Sequence, residues 1–353
     1  MKIAVIGCGS IATSQHIPAY KKNKNVQIKY FCDIILERAQ KAVDDYGSGI
    51  AVSDYKEVLA DGEVEAISVC TPNNMHSIIS IDALKAGKNV LCEKPAAKSY
   101  EEAIEMQKTQ HETGKVLNIG VVNRFNAGIK KIKELIDNDD LGEVYQVYVS
   151  FRNHRSIPGL GGDFTNKSVA GGGVTIDWGV HFFDIVMFCC GDPKVNTVSA
   201  EKFCKLGNPI DEYTYETMWA GPPKNDGICD VEEGITGIIR TEGPIITFNG
   251  AWAQNIGENE MFIDFIGTKG GIRLHYTKNF VFYSTKNGML TKTTFKMNEG
   301  MEFEAMFSNE INSFINCIEN GEKLPSHIDT NIKISQIMDA IYKSADRHCE
   351  ITL

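Results

Sequence analysis

The chain has 353 residues, 42% hydrophobic and 23% charged, enough apolar material for two folded domains and too much for a disordered or fibrous chain. Its net charge of −10 opposes phosphate backbones and anionic headgroups, and its densest basic run, Lys21, Lys22 and Lys24, is too short to reverse that. The expected partner is therefore a small molecule, with no nucleic acid and no membrane.

From the N-terminus, short apolar runs alternate with helical segments. Strands are predicted over Lys2–Ile6, Val26–Cys32, Ala66–Cys70, Asn89–Cys92 and Val116–Gly120. Helices are predicted over Ile11–Lys22, Ile35–Asp45, Tyr55–Ala60, Met75–Ala86 and Tyr100–Thr113. Unbroken apolar strands separated by helices indicate a parallel sheet covered on both faces, a doubly wound Rossmann-type α/β domain over residues 1–121.

Beyond residue 121 the pattern changes. A helix over Ala127–Asp137 precedes a long alternating strand, Glu143–Arg152, then a glycine-rich loop and a helix over Ile176–Cys190. Strands follow at Val195–Phe203, Val231–Arg240, Ile245–Trp252, Met261–Ile266, Gly271–His275, Phe280–Ser284 and Thr291–Phe295, with Cys204–Gly227 read as a loop. Helices over Phe303–Asn320 and Asn331–His348 close the chain. Successive strands joined by short turns indicate an α+β domain with a large, mostly antiparallel open sheet over residues 122–353.

Ten cysteines are scattered through apolar stretches without C-x-x-C spacing, which points to a reducing compartment rather than a disulfide framework. The apolar run at the start stops at Gly7, too short for a secretory leader, and Val174–Cys190 is interrupted by Asp177, His181 and Asp184. A cytoplasmic protein is expected.

The first strand runs into Gly7-Cys8-Gly9-Ser10-Ile11-Ala12, a G-x-G-x-x-A turn opening a helix. Gly7 permits the tight turn, Gly9 admits a pyrophosphate, and Ala12 lets helix and strand pack closely, while the helix start offers unpaired N–H groups around Ser10 and Ile11. Asp33 ends the second strand about 20 residues on, where an acid accepts from the adenosine ribose hydroxyls and repels a 2′-phosphate. No Arg, Lys or Ser stands directly beside it, so NAD is preferred over NADP. Two more strand ends face the same crevice: Thr71-Pro72-Asn73, with His76 one turn further, and Glu93-Lys94-Pro95.

In the second domain, Asp177, His181 and Asp184 stand at i, i+4 and i+7 of an apolar helix and are read as sharing one face. A site is one reading, a buried Asp–His pair another. A metal held by Asp177 and His181 is disfavoured, because neither H-E-x-x-H nor a Cys/His cluster accompanies them.

Together, Gly7-x-Gly9-x-x-Ala12, Glu93-Lys94-Pro95 and Asp177-x-x-x-His181-x-x-Asp184 resemble the Gfo/Idh/MocA oxidoreductase family over essentially the whole chain. The resemblance implies NAD(P)-dependent redox chemistry at a sugar or cyclitol hydroxyl. It implies that Lys94, Asp177 and His181 form the catalytic set, with an element around Asn123 and Arg124 near cofactor and substrate. It also implies oligomer contacts through the open sheet, hence a homo-oligomer, a dimer or tetramer. His181 titrates near neutrality and can take a proton, Lys94 can stabilise an alkoxide, and Asp177 can orient the imidazole or hold a neighbouring hydroxyl. Which of Lys94 and His181 is the base stays open.

Further substrate-contact candidates are Arg124, which can equally be a surface ion-pair partner, Arg152 and His154 at the end of the long strand, and Asp163 in a flexible Gly159–Asp163 loop. Among the tryptophans, Trp178 is taken to stack on a sugar ring, while Trp219 and Trp252 are read as core. The segments around Asp177–His181 and Trp219–Pro223 resemble family members that oxidise glucosides at the 3-position. An inositol dehydrogenase and a keto-sugar reductase are the alternatives of the same class. A non-catalytic NAD(H)-binding sensor is the alternative of another.

Overall fold

The computed structural model describes residues 1–276, 279–295 and 300–353. It divides into two compact units: Met1–Phe125 with Glu302–Ser335, and Asn126–Met301 with Gln336–Leu353.

The first unit begins with β1 (Lys2–Ile6), whose chain turns at Gly7 into a π-turn, Ala12–His16, continued by α1 (Ile17–Lys22). β2 (Gln27–Cys32), α2 (Leu36–Tyr46), β3 (Ile50–Val52), α3 (Tyr55–Ala60), β4 (Ala66–Val69) and α4 (His76–Lys85) follow. β5 (Asn89–Glu93), α5 (Tyr100–Thr113) and β6 (Leu117–Gly120) complete the sheet. Its order is β3-β2-β1-β4-β5-β6 with every pair parallel, so the order reverses between β1 and β4. That switch point opens a crevice at the strands' carboxyl ends.

Local signals set the element ends. Ser99 caps α5 by accepting from the Glu102 amide, two glutamates occupy the first turn, and Gly114 ends the helix in the left-handed region. The short β3, flanked by Gly49 and Ser53, carries too few apolar residues to stand out from its loops.

One face of the sheet buries Ile3, Val5, Phe31, Ala39 and Ala42, together with Ile311, Phe314 and Ile315. Those three residues lie on α9 (Phe303–Asn320), far along the chain. The first unit therefore takes in residues 302–335 as well, a division that differs from the contiguous one expected at 121/122. Burial of this amphipathic helix on the Rossmann sheet is the physical reason. The opposite face buries Val69, Val90, Ala83, Leu84, Ala103 and Met106.

The second unit opens with α6 (Ala127–Asp137), capped by Asn126, and β7 (Val144–His154). A single turn, α7 (Lys167–Ala170), leads to a second π-turn, Thr175–Gly179, and α8 (Val180–Cys189). The strands β8 (Val195–Phe203), β9 (Gly234–Thr241), β10 (Ile245–Gln254), β11 (Glu260–Gly267) and β12 (Gly270–His275) come next. β13 (Phe280–Lys286), β14 (Met289–Thr294) and a short β15 (Ile351–Thr352) complete its strands, and α10 (Ile328–Arg347) is divided between the two units after Ser335. The sheet order is β14-β13-β12-β11-β7-β10-β9-β8-β15, antiparallel except for the β7–β10 pair. Val147, Val149 and Phe151 alternate inward from β7, and Phe151 stacks on Phe182 of α8 at 4.9 Å.

Candidate active site

In the first unit, Gly7 has φ +91, and a Cβ there would lie 2.5 Å from the Cys70 carbonyl oxygen, so only glycine fits between β1 and β4. Gly9 has nothing within 4 Å of where its Cβ would be, which leaves an open cradle before the helix start, where Ser10 is exposed and Ile11 half-buried. Asp33 is buried; its Oδ2 accepts from the Cys8 amide at 2.9 Å and its Oδ1 from the Ile35 amide at 2.9 Å. Each oxygen keeps lone-pair capacity for a ribose hydroxyl. Ile34, next to the acid, is 90% exposed and offers an apolar surface suited to an adenine ring. Buried in the same turn, the Cys8 thiol is pushed up to about 12 by burial and by Asp33, and stays protonated.

The β4 end brings further polar atoms to the crevice. Thr71 Oγ1 is buried with no hydrogen-bond partner among the described residues, a hydroxyl left available to a ligand. Pro72 precedes a 3₁₀ turn, Asn73–Met75. His76 is buried, its Nδ1 2.7 Å from the Pro95 carbonyl and its Nε2 2.9 Å from the Thr71 carbonyl. Both partners are acceptors, so both nitrogens donate and the ring is an imidazolium. Burial works against that charge, yet Cys92 and the two carbonyls outweigh it and hold the pKa at about 9. His76 thus ties the β4 end to the Glu93-Lys94-Pro95 turn.

Glu93 is buried, and its Oε1 lies 2.8 Å from His16 Nε2. His16 carries no motif of its own in the sequence; its one signal there is its place on the helix following the glycine turn. Lys94 is half-buried. Asn123 and Arg124 lie in a buried 3₁₀ turn, Val122–Phe125. Arg124 is no surface ion-pair partner: it is 1% exposed and donates to the Pro325 carbonyl at 2.6 Å and Thr330 Oγ1 at 2.9 Å.

In the second unit, Asp177 lies in the π-turn, where the Val180 amide donates to the Thr175 carbonyl five residues back. His181 and Asp184 lie on the regular helix that follows. The single regular helix expected over Ile176–Cys190 is therefore two elements, a π-turn and a regular helix. Asp177 and His181 are half-buried, while Asp184 is wholly buried. π-turns recur at functional positions, and this chain has one after the glycine turn and one at Asp177.

Two partners hold this turn. The Trp252 indole N–H donates to Asp177 Oδ2 at 3.2 Å. The buried Glu232 carboxylate accepts from the amides of Gly173 and Thr175 at 3.0 and 3.1 Å and from the Tyr342 hydroxyl at 2.8 Å. Glu232 comes from a stretch with no motif of its own, so nothing in the sequence marked it.

Of the remaining candidates, Arg152 is ion-paired with Glu260 of β11. His154 Nδ1 donates to the Gln254 carbonyl at 3.1 Å, and the residue lines an open groove of 420 Å³ with Arg155, Tyr215, Glu216 and Asn255. Asp163 is exposed and starts a 3₁₀ turn. Its loop is tied down by backbone bonds, Lys224 N–H to the Leu160 carbonyl and Glu216 N–H to the Arg155 carbonyl. Trp178 is half-buried and Trp252 is core. The core reading of Trp219 is corrected: it is 56% exposed, edge-on to Phe164 at 4.9 Å, because its loop lies outside the sheet's apolar face. Among the described residues, no group of three or more His, Cys, Asp or Glu could hold a metal ion, and no helix is long and apolar enough to cross a membrane.

Residues 1–121 match the pattern of the oxidoreductase family with an NAD-binding Rossmann fold, and residues 129–273 match the Gfo/Idh/MocA C-terminal domain. The chain belongs to the Gfo/Idh/MocA oxidoreductase family. Among the relatives of this Gfo/Idh/MocA protein, D-glucoside 3-dehydrogenase of Escherichia coli (strain K12) is 30% identical over 100% of this chain and 97% of that protein. Inositol 2-dehydrogenase of Arthrobacter sp. (strain FB24) is 26% identical over 72% of this chain and 79% of its own. Levoglucosan dehydrogenase, solved in complex with NADH and levoglucosan, shares the fold with a TM-score of 0.86 at 19% identity, over 100% of this chain and 99% of that one.

Proposed function

We propose that this oxidoreductase uses NAD to oxidise a secondary hydroxyl of a glucoside or a related sugar or cyclitol, at the 3-position of a glucoside. The observation that carries the reading is the full-length likeness to a D-glucoside 3-dehydrogenase, joined to a first-unit crevice whose parts fit a dinucleotide. Gly9's open cradle would take the pyrophosphate, Asp33 the ribose hydroxyls, and Thr71 with Asn73 the inner end of the cofactor. Asp33's carboxylate would repel a 2′-phosphate, which favours NAD.

When bound, NAD supplies the hydride acceptor for the carbinol C–H. The chain's own residues handle the proton and the oxygen. Lys94 donates a hydrogen bond to the reacting oxygen and stabilises its developing negative charge. His181 and Lys94 are the two groups able to take the hydroxyl proton, leaving a ketone once the hydride has departed. Asp177, steadied by Trp252, orients the imidazole or a neighbouring sugar hydroxyl. Trp178 offers an aromatic face to the ring, and Arg152, His154 and Asp163 are the surrounding candidates for substrate contact.

The open sheet supports a homo-oligomer: Tyr145, Tyr283, Met289 and Leu290 are large, exposed residues on its strands. Ten free cysteines suit a reducing, cytoplasmic setting.

Lys94→Ala tests the catalytic reading. Turnover should fall on the order of 10²-fold or more while NADH, followed by its fluorescence, still binds. Unchanged turnover would remove Lys94 from the mechanism, and a wild-type protein that binds NADH yet turns over no sugar would favour the sensor.

A further inference from the structure

A buried chain of polar side chains runs beneath the Glu93-Lys94 turn, wholly within the first unit. Tyr20 on α1 lies with its hydroxyl 2.7 Å from Ser68 Oγ on β4. Ser68 Oγ is 3.4 Å from His16 Nδ1, and His16 Nε2 is 2.8 Å from Glu93 Oε1. Glu93 Oε2 accepts from the Lys94 backbone amide at 3.1 Å. Tyr20, Ser68, His16 and Glu93 are all buried.

Every link can carry a proton: Nε2–H donates to the Glu93 carboxylate, and the Tyr20 and Ser68 hydroxyls and Nδ1 share the protons of the other two. Burial pushes Glu93 towards its neutral form, but the His16 hydrogen bond and the nearby Lys94 bring it below the ordinary glutamate range. The Tyr20 hydroxyl is driven upward by burial and stays protonated, so it remains a donor.

The surroundings support a deliberate placement. A Cβ at Gly120 of β6 would lie 3.2 Å from Glu93 Cα and 3.3 Å from Glu93 Cδ, so β6 packs closely against Glu93. His16 closes the π-turn, and its ring meets Phe307 of α9 at 5.6 Å. The ionisable neighbours are Cys70 just after β4, whose thiol is raised by burial and by Glu93, and Glu310 on α9, which acts on both Tyr20 and Cys70. Across the turn lie Cys92 on β5 and the His76 imidazolium on α4.

We propose that His16 and Glu93 are positioning residues, a buried histidine and carboxylate pair that holds the Lys94 turn in place through the Lys94 backbone amide. This rests on the reading of Lys94 as catalytic. Without the carboxylate the Lys94 amide loses its buried acceptor, and the turn that carries the side chain is no longer fixed. His16 acts through Glu93: stripped of its donor at Oε1, the carboxylate is itself no longer held.

The test is kcat and KM for glucoside oxidation in wild type, Glu93→Ala, Glu93→Gln, His16→Ala, His16→Gln and Lys94→Ala, with NADH affinity measured alongside. Glu93→Gln is isosteric and keeps an acceptor, and His16→Gln keeps an N–H donor. The expected result is a kcat lowered on the order of 10-fold in Glu93→Ala and His16→Ala with KM little changed. Glu93→Gln and His16→Gln should return kcat towards wild type, with NADH affinity within about threefold throughout. A KM and an NADH affinity that worsen together with kcat, or no rescue by the glutamine variants, would reduce the pair to a structural role. Full activity in Lys94→Ala would overturn the reading of Lys94 and this proposal with it.

Discussion

The Cys8 amide donates to Asp33 Oδ2 at 2.9 Å, so the glycine turn after β1 and the acid ending β2 are fixed to each other. With the Ile35 amide on Oδ1, the carboxylate cannot swing aside to admit a 2′-phosphate. Asp33→Ser should narrow the preference for NAD over NADP on the order of 10-fold or more, measured as the ratio of kcat/KM for the two cofactors. An unchanged ratio would mean the acid serves only the turn.

His76 makes stability depend on pH. Its folded pKa of about 9 lies above the unfolded histidine value, so its contribution is complete below about pH 6.5 and disappears as pH rises through 9. The loss is on the order of 3 kcal/mol for a buried group with this shift. Denaturant midpoints of wild type and His76→Gln should therefore converge between pH 6 and pH 10. Parallel curves would show that the imidazolium is not formed.

How far the sequence carried can be seen at these residues. The G-x-G-x-x-A turn, Asp33 and the Glu93-Lys94-Pro95 strand end were legible because a parallel sheet puts its chemistry at strand ends, and periodicity locates those ends. His16, Glu232 and Trp252 were not read as parts of a site. Each acts through a partner distant in sequence, His16 on Glu93, Glu232 on Gly173 and Thr175, Trp252 on Asp177. The π-turns were invisible for a related reason: a five-residue backbone bond leaves no pattern of residue types. The return of α9 to the Rossmann sheet was equally hidden, since amphipathicity says that a face is buried but not against what.

Trp252 and Asp177 should behave as a coupled pair. Trp252→Phe keeps the ring in the core and removes the N–H, and should lower kcat on the order of 10-fold. The double variant Trp252→Phe, Asp177→Asn should be little worse than Asp177→Asn alone. Additive losses would show that the indole serves packing only.

If Trp178 stacks against the sugar, Trp178→Ala should raise KM for glucosides on the order of 10-fold with kcat less affected. An unaltered KM would return this half-buried ring to a packing role.

Hydride transfer from a sugar hydroxyl to NAD is tested most directly by spectroscopy. Wild-type protein with NAD and methyl glucoside should give an absorbance rise at the reduced-nicotinamide band, matched mole for mole by a 3-keto product, with myo-inositol reacting more slowly. No reduced nicotinamide with any glucoside, sugar or inositol, in a protein that demonstrably binds NADH, would contradict it.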